Sequence, residues 1–91
     1  MTALEKVLAE TSRYDHALLR FSAREHNGVV ELVIELKDPS FKLHTYYAPV
    51  HARDIEHSQF PWTFQRYLYD CMHDYLVEMF IHTPQSQDAR E

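Results

Sequence analysis

The sequence predicts an α+β protein of order α-β-β-β-α, a three-stranded antiparallel meander with a short N-terminal helix and a long C-terminal helix packed on one face. Three observations carry this expectation. A capping-box spacing opens the chain, an Asn-Gly pair at 27–28 separates two runs of alternating apolar and polar residues, and an apolar pattern of helical period fills the stretch before Pro84. A chain of 91 residues has room for one domain. That domain is expected over residues 1–84, followed by a flexible polar tail at 85–91.

In Thr2-Ala3-Leu4-Glu5 a hydroxyl stands at the N-cap and a carboxylate three residues on, the pairing that satisfies two orphan N–H groups at a helix start. Leu4, Val7, Leu8 and Thr11 then share one face, which predicts a short helix over residues 3–12. Asn27-Gly28 suits a type I′ turn, where both central residues need positive φ. With that turn, Leu19 faces Leu36, Phe21 faces Ile34 and Ala23 faces Leu32 on one side of the hairpin. On the other side Arg20 faces Glu35, Ser22 faces Val33 and Arg24 faces Glu31. A slip of one residue would break both sets together, so this register is strongly specified. A second turn at Lys37-Asp38-Pro39-Ser40 brings Phe41 opposite Leu36, Leu43 opposite Ile34, Thr45 opposite Leu32 and Tyr47 opposite Val30, with Lys42 against Glu35. Strands are thus expected near 17–24, 29–36 and 41–48, Pro49 ending the last. Residues 51–59 read as a polar connector with a helical turn. The long helix is expected from about Pro61, a residue suited to a first turn, with Ser58 or Phe60 as its cap. It stops before Pro84, and some 22 residues give it about 33 Å.

Composition excludes several function classes. The single cysteine, Cys71, rules out a disulfide framework and a Cys-based zinc finger, and the single glycine rules out a Gly-rich phosphate loop. No apolar run approaches the length of a membrane span. The first residues carry Glu5 and Lys6 and no apolar signal core, so the expected location is cytoplasmic. Charge is placed unevenly. Residues 1–50 hold six basic and seven acidic side chains, a net of −1; residues 51–91 hold three basic and seven acidic, a net of −4. The element order resembles the topology of double-stranded RNA-binding domains, a resemblance of topology alone. That family grips RNA with a basic cluster at the start of its last helix, whereas here Phe60-Pro61-Trp62-Thr63-Phe64 has no lysine. No nucleic-acid partner is expected.

On a helical projection Phe60, Cys71, Phe64, Tyr75, Leu68, Met79, Met72, Leu76, Tyr69, Trp62 and Phe80 span about half the circumference, more than a helix resting on one sheet requires. Either the first helix covers the excess, or the edge formed by Trp62, Tyr69, Leu76 and Phe80 meets another chain. Leu4, Val7 and Leu8 offer little cover, which favours a homodimer. The remaining face carries Asp70, Asp74 and Glu78, a row that reads first as a solvated helix face and secondly as a contact for a cation or a basic partner.

Candidate chemistry is sparse. The seven histidines include His51 and His57 flanking Asp54, and His73 between Asp70 and Asp74. His57 stands six residues after His51 and Asp54 three, so at best two of these share a helix face, and Asp70 with His73 at i, i+3 make a possible pair without a visible third or fourth ligand; no metal and no cofactor are therefore expected. Cys71 falls in the apolar arc and reads as a core thiol. Ser22, His44 and Glu31 or Glu35 could share the polar sheet face, but no Gly-rich turn supplies an oxyanion hole, and no catalytic residue is assigned. The favoured function is a small acidic interaction or regulatory module, homodimeric and binding protein partners, and an enzyme is disfavoured. The alternative is a ligand-binding or catalytic pocket where strand, connector and long helix meet, lined by Tyr47, His51, His57, Trp62 and Tyr69. A weaker alternative is an acidic decoy of a nucleic-acid-binding surface.

The charge distribution predicts that an anisotropy titration with duplex DNA and RNA at about 50 mM salt, where non-specific binding is strongest, gives no micromolar complex. A shift that disappears as salt rises would contradict the acidic-module reading.

Overall fold

The computed structural model describes residues 2–38 and 44–81, the last three by their backbone alone. Helix α1 (Ala3–Thr11) begins with the expected capping box. Thr2 Oγ1 accepts the Glu5 N–H at 3.1 Å, and the Glu5 carboxylate accepts the Thr2 N–H at 2.8 Å. Those bonds to Thr2, the backbone one foremost, pull the Glu5 carboxyl below its ordinary range. The helix buries Val7 and Thr11, the Thr11 hydroxyl donating to the Leu8 carbonyl.

Strands β1 (Leu19–His26) and β2 (Val29–Leu36) form an antiparallel hairpin around Asn27 and Gly28, whose φ angles are 53° and 80°. Its register is the expected one throughout, from Leu19 opposite Leu36 to Arg24 opposite Glu31. Alternation does the rest. Leu19, Leu32 and Ile34 are buried on the inner face, while Arg20 pairs with Glu35 at 3.1 Å and Arg24 with Glu31 at 2.7 Å on the outer face. Val33, between Ser22 and Tyr47 on that outer face, is nevertheless buried.

The third strand corrects the sequence reading. Strand β3 covers Tyr46–Val50 and pairs with the other edge of β2 so that Ile34 faces Tyr46, Leu32 faces Ala48 and Val30 faces Val50. Leu43 opposite Ile34, Thr45 opposite Leu32 and Tyr47 opposite Val30 are therefore not the pairs formed; the register lies three residues further along. An odd shift exchanges faces, so Tyr46, Ala48 and Val50 point inward and Tyr47 outward. The physical reason is the connection: β3 begins ten positions after Leu36, too far for a tight turn to dictate pairing, and burial of Ala48 and Val50 selects the register instead. Pro49 lies inside the strand, not after it. Because β3 is an edge strand, its missing N–H costs no ladder bond. The expected partners Phe41 and Lys42 lie outside the described residues, as do the turn at Pro39-Ser40, the helix stop at Pro84 and the tail at 85–91.

The connector contains the five-residue helix α2 (Ala52–Glu56), and α3 follows over Phe60–Ile81. The Gln59 carbonyl accepts the N–H groups of Trp62 and Thr63, which puts the α3 cap between the two residues expected for it. Phe60, Phe64, Leu68, Cys71 and Tyr75 form the buried stripe of α3. Together with Val7, Leu32, Ile34, Val50 and Ile55 they make one core between the helices and the inner face of the sheet. The Tyr75 hydroxyl donates to the His44 carbonyl at 2.8 Å, which ties the middle of α3 to the chain leading into β3.

Two stability changes follow from this packing. A Cβ at Gly28 would meet no atom within 4 Å, so Gly28→Val carries only the left-handed backbone strain, about 1–2 kcal/mol, read from urea melts. Leu68 is fully buried, and Leu68→Ala is expected to lose about 2–5 kcal/mol in the same assay. Equal losses below about 0.5 kcal/mol would be those of ordinary surface positions and would contradict both placements.

Candidate functional site

Helix α3 has a different character on each side of its buried stripe. On one side a cleft of about 310 Å³ opens between the end of β3, α2 and the first half of α3. Its floor is apolar, made by Val50, Phe60 and Phe64, all buried. Its rim is polar: His51 and Asp54 come from the start of α2, and Thr63, Arg66, Tyr67 and Asp70 from α3. Successive turns of one helix supply the α3 rim, since 63, 66, 67 and 70 recur at helical spacing. The Tyr67 hydroxyl donates to the Pro49 carbonyl at 2.6 Å and closes the cleft wall against the edge strand.

Behind that wall lies the Cys71 thiol, beside the phenols of Tyr46 and Tyr67. Burial pushes the thiol up, and the two phenols partly offset that shift. Burial, with Cys71 beside them, also pushes Tyr46 and Tyr67 up to about 12. A thiol raised in this way is a poor nucleophile. The cluster is suited to sealing the core rather than to chemistry.

On the opposite side, α3 presents an aromatic flank. Trp62 is 68% exposed and Tyr69 51%. The Tyr69 ring meets Tyr14 edge-on at 6.3 Å, and Tyr14 also packs on Phe64, so the segment after α1 covers only part of this flank. Leu76 is partly buried against the core, and the Phe80 side chain lies outside the described residues. At about 100° per residue, Trp62, Gln65, Tyr69, Met72 and Leu76 form a continuous uncharged strip about 80° wide; His73 and Arg66 border it beside Trp62, and Asp70 and Asp74 lie about 120° and about 160° from its centre.

Of the five residues read from the sequence as lining a pocket, the structure brings His51 to the cleft. Tyr47 sits on the outer sheet face, where the Arg24 guanidinium stacks 3.7 Å from its ring centroid. The His57 Nδ1 accepts the Gln59 N–H at 3.0 Å in the turn before α3. Trp62 and Tyr69 belong to the aromatic flank. Asp54, Thr63, Arg66, Tyr67 and Asp70 were not singled out for this site. The signal for them was present: projected on a helix, Thr63, Tyr67 and Asp70 flank the Phe60–Phe64 stripe on the side facing the connector. The proposed neighbourhood of Ser22 and His44 is not formed. Ser22 is on the outer sheet face, whereas His44 packs against Tyr75 and its Nε2 lies 2.7 Å from the Glu78 carboxylate. Among the described residues no three His, Cys, Asp or Glu side chains converge as a metal site, and no helix is long and apolar enough to cross a membrane. No family model, curated protein or solved structure matches the chain.

The tyrosine shifts set a pH dependence. An unfolded phenol ionises near 10, and the folded values of Tyr46 and Tyr67 are raised to about 12. The folded chain therefore holds protons that the unfolded chain releases; the stability is present in full below about pH 10 and is lost as pH rises towards 12. An ultraviolet phenolate titration should show the Tyr46 and Tyr67 phenols ionising well above pH 10. Ionisation of all six in one step near pH 10 would contradict the packing around Cys71.

Proposed function

We propose that the protein is a non-enzymatic interaction module that pairs with a second copy of itself along the aromatic flank of α3. The observation that carries this reading is the exposure of Trp62 and Tyr69 on a strip free of charged side chains. Aromatic side chains and Met are enriched at the centres of protein interfaces and charged ones depleted. A chain with a net charge of −5 can approach its copy closely only where its acidic groups are turned away. The aromatic strip meets that condition, since Asp70 and Asp74 lie on the cleft side of the helix. An antiparallel arrangement of two α3 helices is self-complementary about a two-fold axis. It brings the Trp62 end of each helix to the C-terminal end of the other, with Tyr69 and Leu76 nearer the axis. The α3 seam, 22 residues long, supplies about 33 Å of contact. The cytoplasm suits such a module, because its single thiol, Cys71, is free and buried.

Light scattering at micromolar concentration is expected to report close to twice the chain mass of 10.9 kDa. Trp62 is the single tryptophan, so its emission should shift to the blue as concentration rises through the dissociation constant. Trp62→Ala is expected to weaken pairing by at least about 2 kcal/mol, roughly thirtyfold in Kd, while the urea stability measured well below the dissociation constant stays unchanged, because the side chain is exposed in the single chain. A mass of one chain at every concentration, or a Trp62→Ala variant that pairs as well as the parent, would contradict the proposal.

A further inference from the structure

The geometry points to a binding site for a small zwitterion with an apolar side chain, chemically an α-amino acid, in the cleft between β3, α2 and α3. Its ammonium is held by Asp54 and Asp70, and its carboxylate by Arg66 together with His51. The inference is independent of self-pairing, because the cleft and the aromatic strip occupy different sides of α3.

Three observations restrict the ligand. First, the cleft volume of about 310 Å³ stands at the lower end of the 300–1,000 Å³ or so typical of ligand sites, which favours a molecule of a few heavy atoms over a polymer. Secondly, the rim carries both signs of charge. A ligand bearing only a positive charge would face Arg66, and one bearing only a negative charge would face two carboxylates. A ligand bearing both, at opposite ends of one small group, satisfies all of them. None of Asp54, Arg66 and Asp70 forms an ion pair with another described residue, although Arg66 and Asp70 stand four apart on one helix. Their hydrogen-bonding capacity is open to a ligand, and charge-assisted bonds of this kind are the strong ones. Thirdly, Val50, Phe60 and Phe64 give the floor no polar side chain, so the part of the ligand between or beside its charges is apolar. The Tyr67 hydroxyl is already committed to Pro49 and shapes the wall.

The test is a ¹H–¹⁵N NMR titration of the full chain with L-leucine, L-phenylalanine, L-leucine amide and N-acetyl-L-leucine. At least one free amino acid should give saturable shifts centred on His51, Asp54, Thr63 and Tyr67. Leucine amide, which lacks the carboxylate, and N-acetyl-leucine, which lacks the ammonium, should each bind about tenfold more weakly or worse. Arg66→Gln should lower affinity for the amino acid about tenfold while leaving that for the amide unchanged; Asp70→Asn should weaken the amide and spare the N-acetyl form. Spectra of both variants that match the parent away from the cleft report an intact fold, as expected for exposed side chains. Absence of saturation with both amino acids, equal affinity for the blocked forms, or shifts centred on Trp62 and Tyr69 would each overturn the assignment. A monomeric chain that still binds leucine in the cleft would count against self-pairing alone.

Discussion

Asn27 and Gly28 hold φ angles of 53° and 80°, and the tight hairpin they permit decides which face of β1 and β2 meets the helices. Because strand side chains alternate, a single register places Leu19, Leu32 and Ile34 inward and both Arg–Glu pairs outward. A slip by one residue would turn the charged set into the core, where unpaired charges are far costlier than any cross-strand pair is favourable. The helices then have only one surface to cover. The N-terminal helix packs chiefly on β1 and the long helix on β2, and the core forms between them. The outer face, with Arg24 stacked on Tyr47, needs no cover.

Helix α3 turns this scaffold into something with distinct sides. Its buried stripe is narrow, from Phe60 to Tyr75, while its apolar and aromatic residues extend well beyond that stripe. The surplus separates by angle. Residues turned towards β3 meet the connector and enclose a cleft with an apolar floor and a charged rim. Among the described residues turned the other way, Met72 and Leu76 lean on the core and Tyr69 meets Tyr14 edge-on, while Trp62 and Tyr69 stay largely exposed. Asp70 lines the cleft and Asp74 projects beside it, away from Trp62 and Tyr69. One helix thus separates the aromatic strip proposed for self-pairing from the cleft proposed for a small ligand.

Where local chemistry decided the structure, the sequence was legible. Thr2 and Glu5 announced the first helix, Asn27-Gly28 announced the hairpin and its register, and the apolar period announced α3. The third strand was not legible for a definite reason. Its pairing is set by which alternate residues bury best, and the stretch Tyr46-Tyr47-Ala48-Pro49-Val50 offers apolar groups on both faces. A turn inferred at Pro39-Ser40 could not decide between them. The error carried through to the site, because the odd register shift moved Tyr47 to the outer face beside Arg24. A cleft beside the connector was foreseeable, but its rim depended on how α2 and α3 come together to bring Asp54, Arg66 and Tyr67 to one opening, which is tertiary geometry. The exposure of Trp62 was foreseeable from the width of the apolar arc and the small first helix.

The central claim, that the uncharged strip on α3 is where two copies meet, is tested most directly by isotope-filtered NOE spectroscopy on a mixture of labelled and unlabelled chains. The account predicts intermolecular contacts from the Trp62 indole and the Tyr69 ring to side chains of α3 in the other copy. Contacts that instead join the outer sheet faces through Tyr47 and Val33, or no intermolecular contacts at a concentration where the chain is paired, would contradict it.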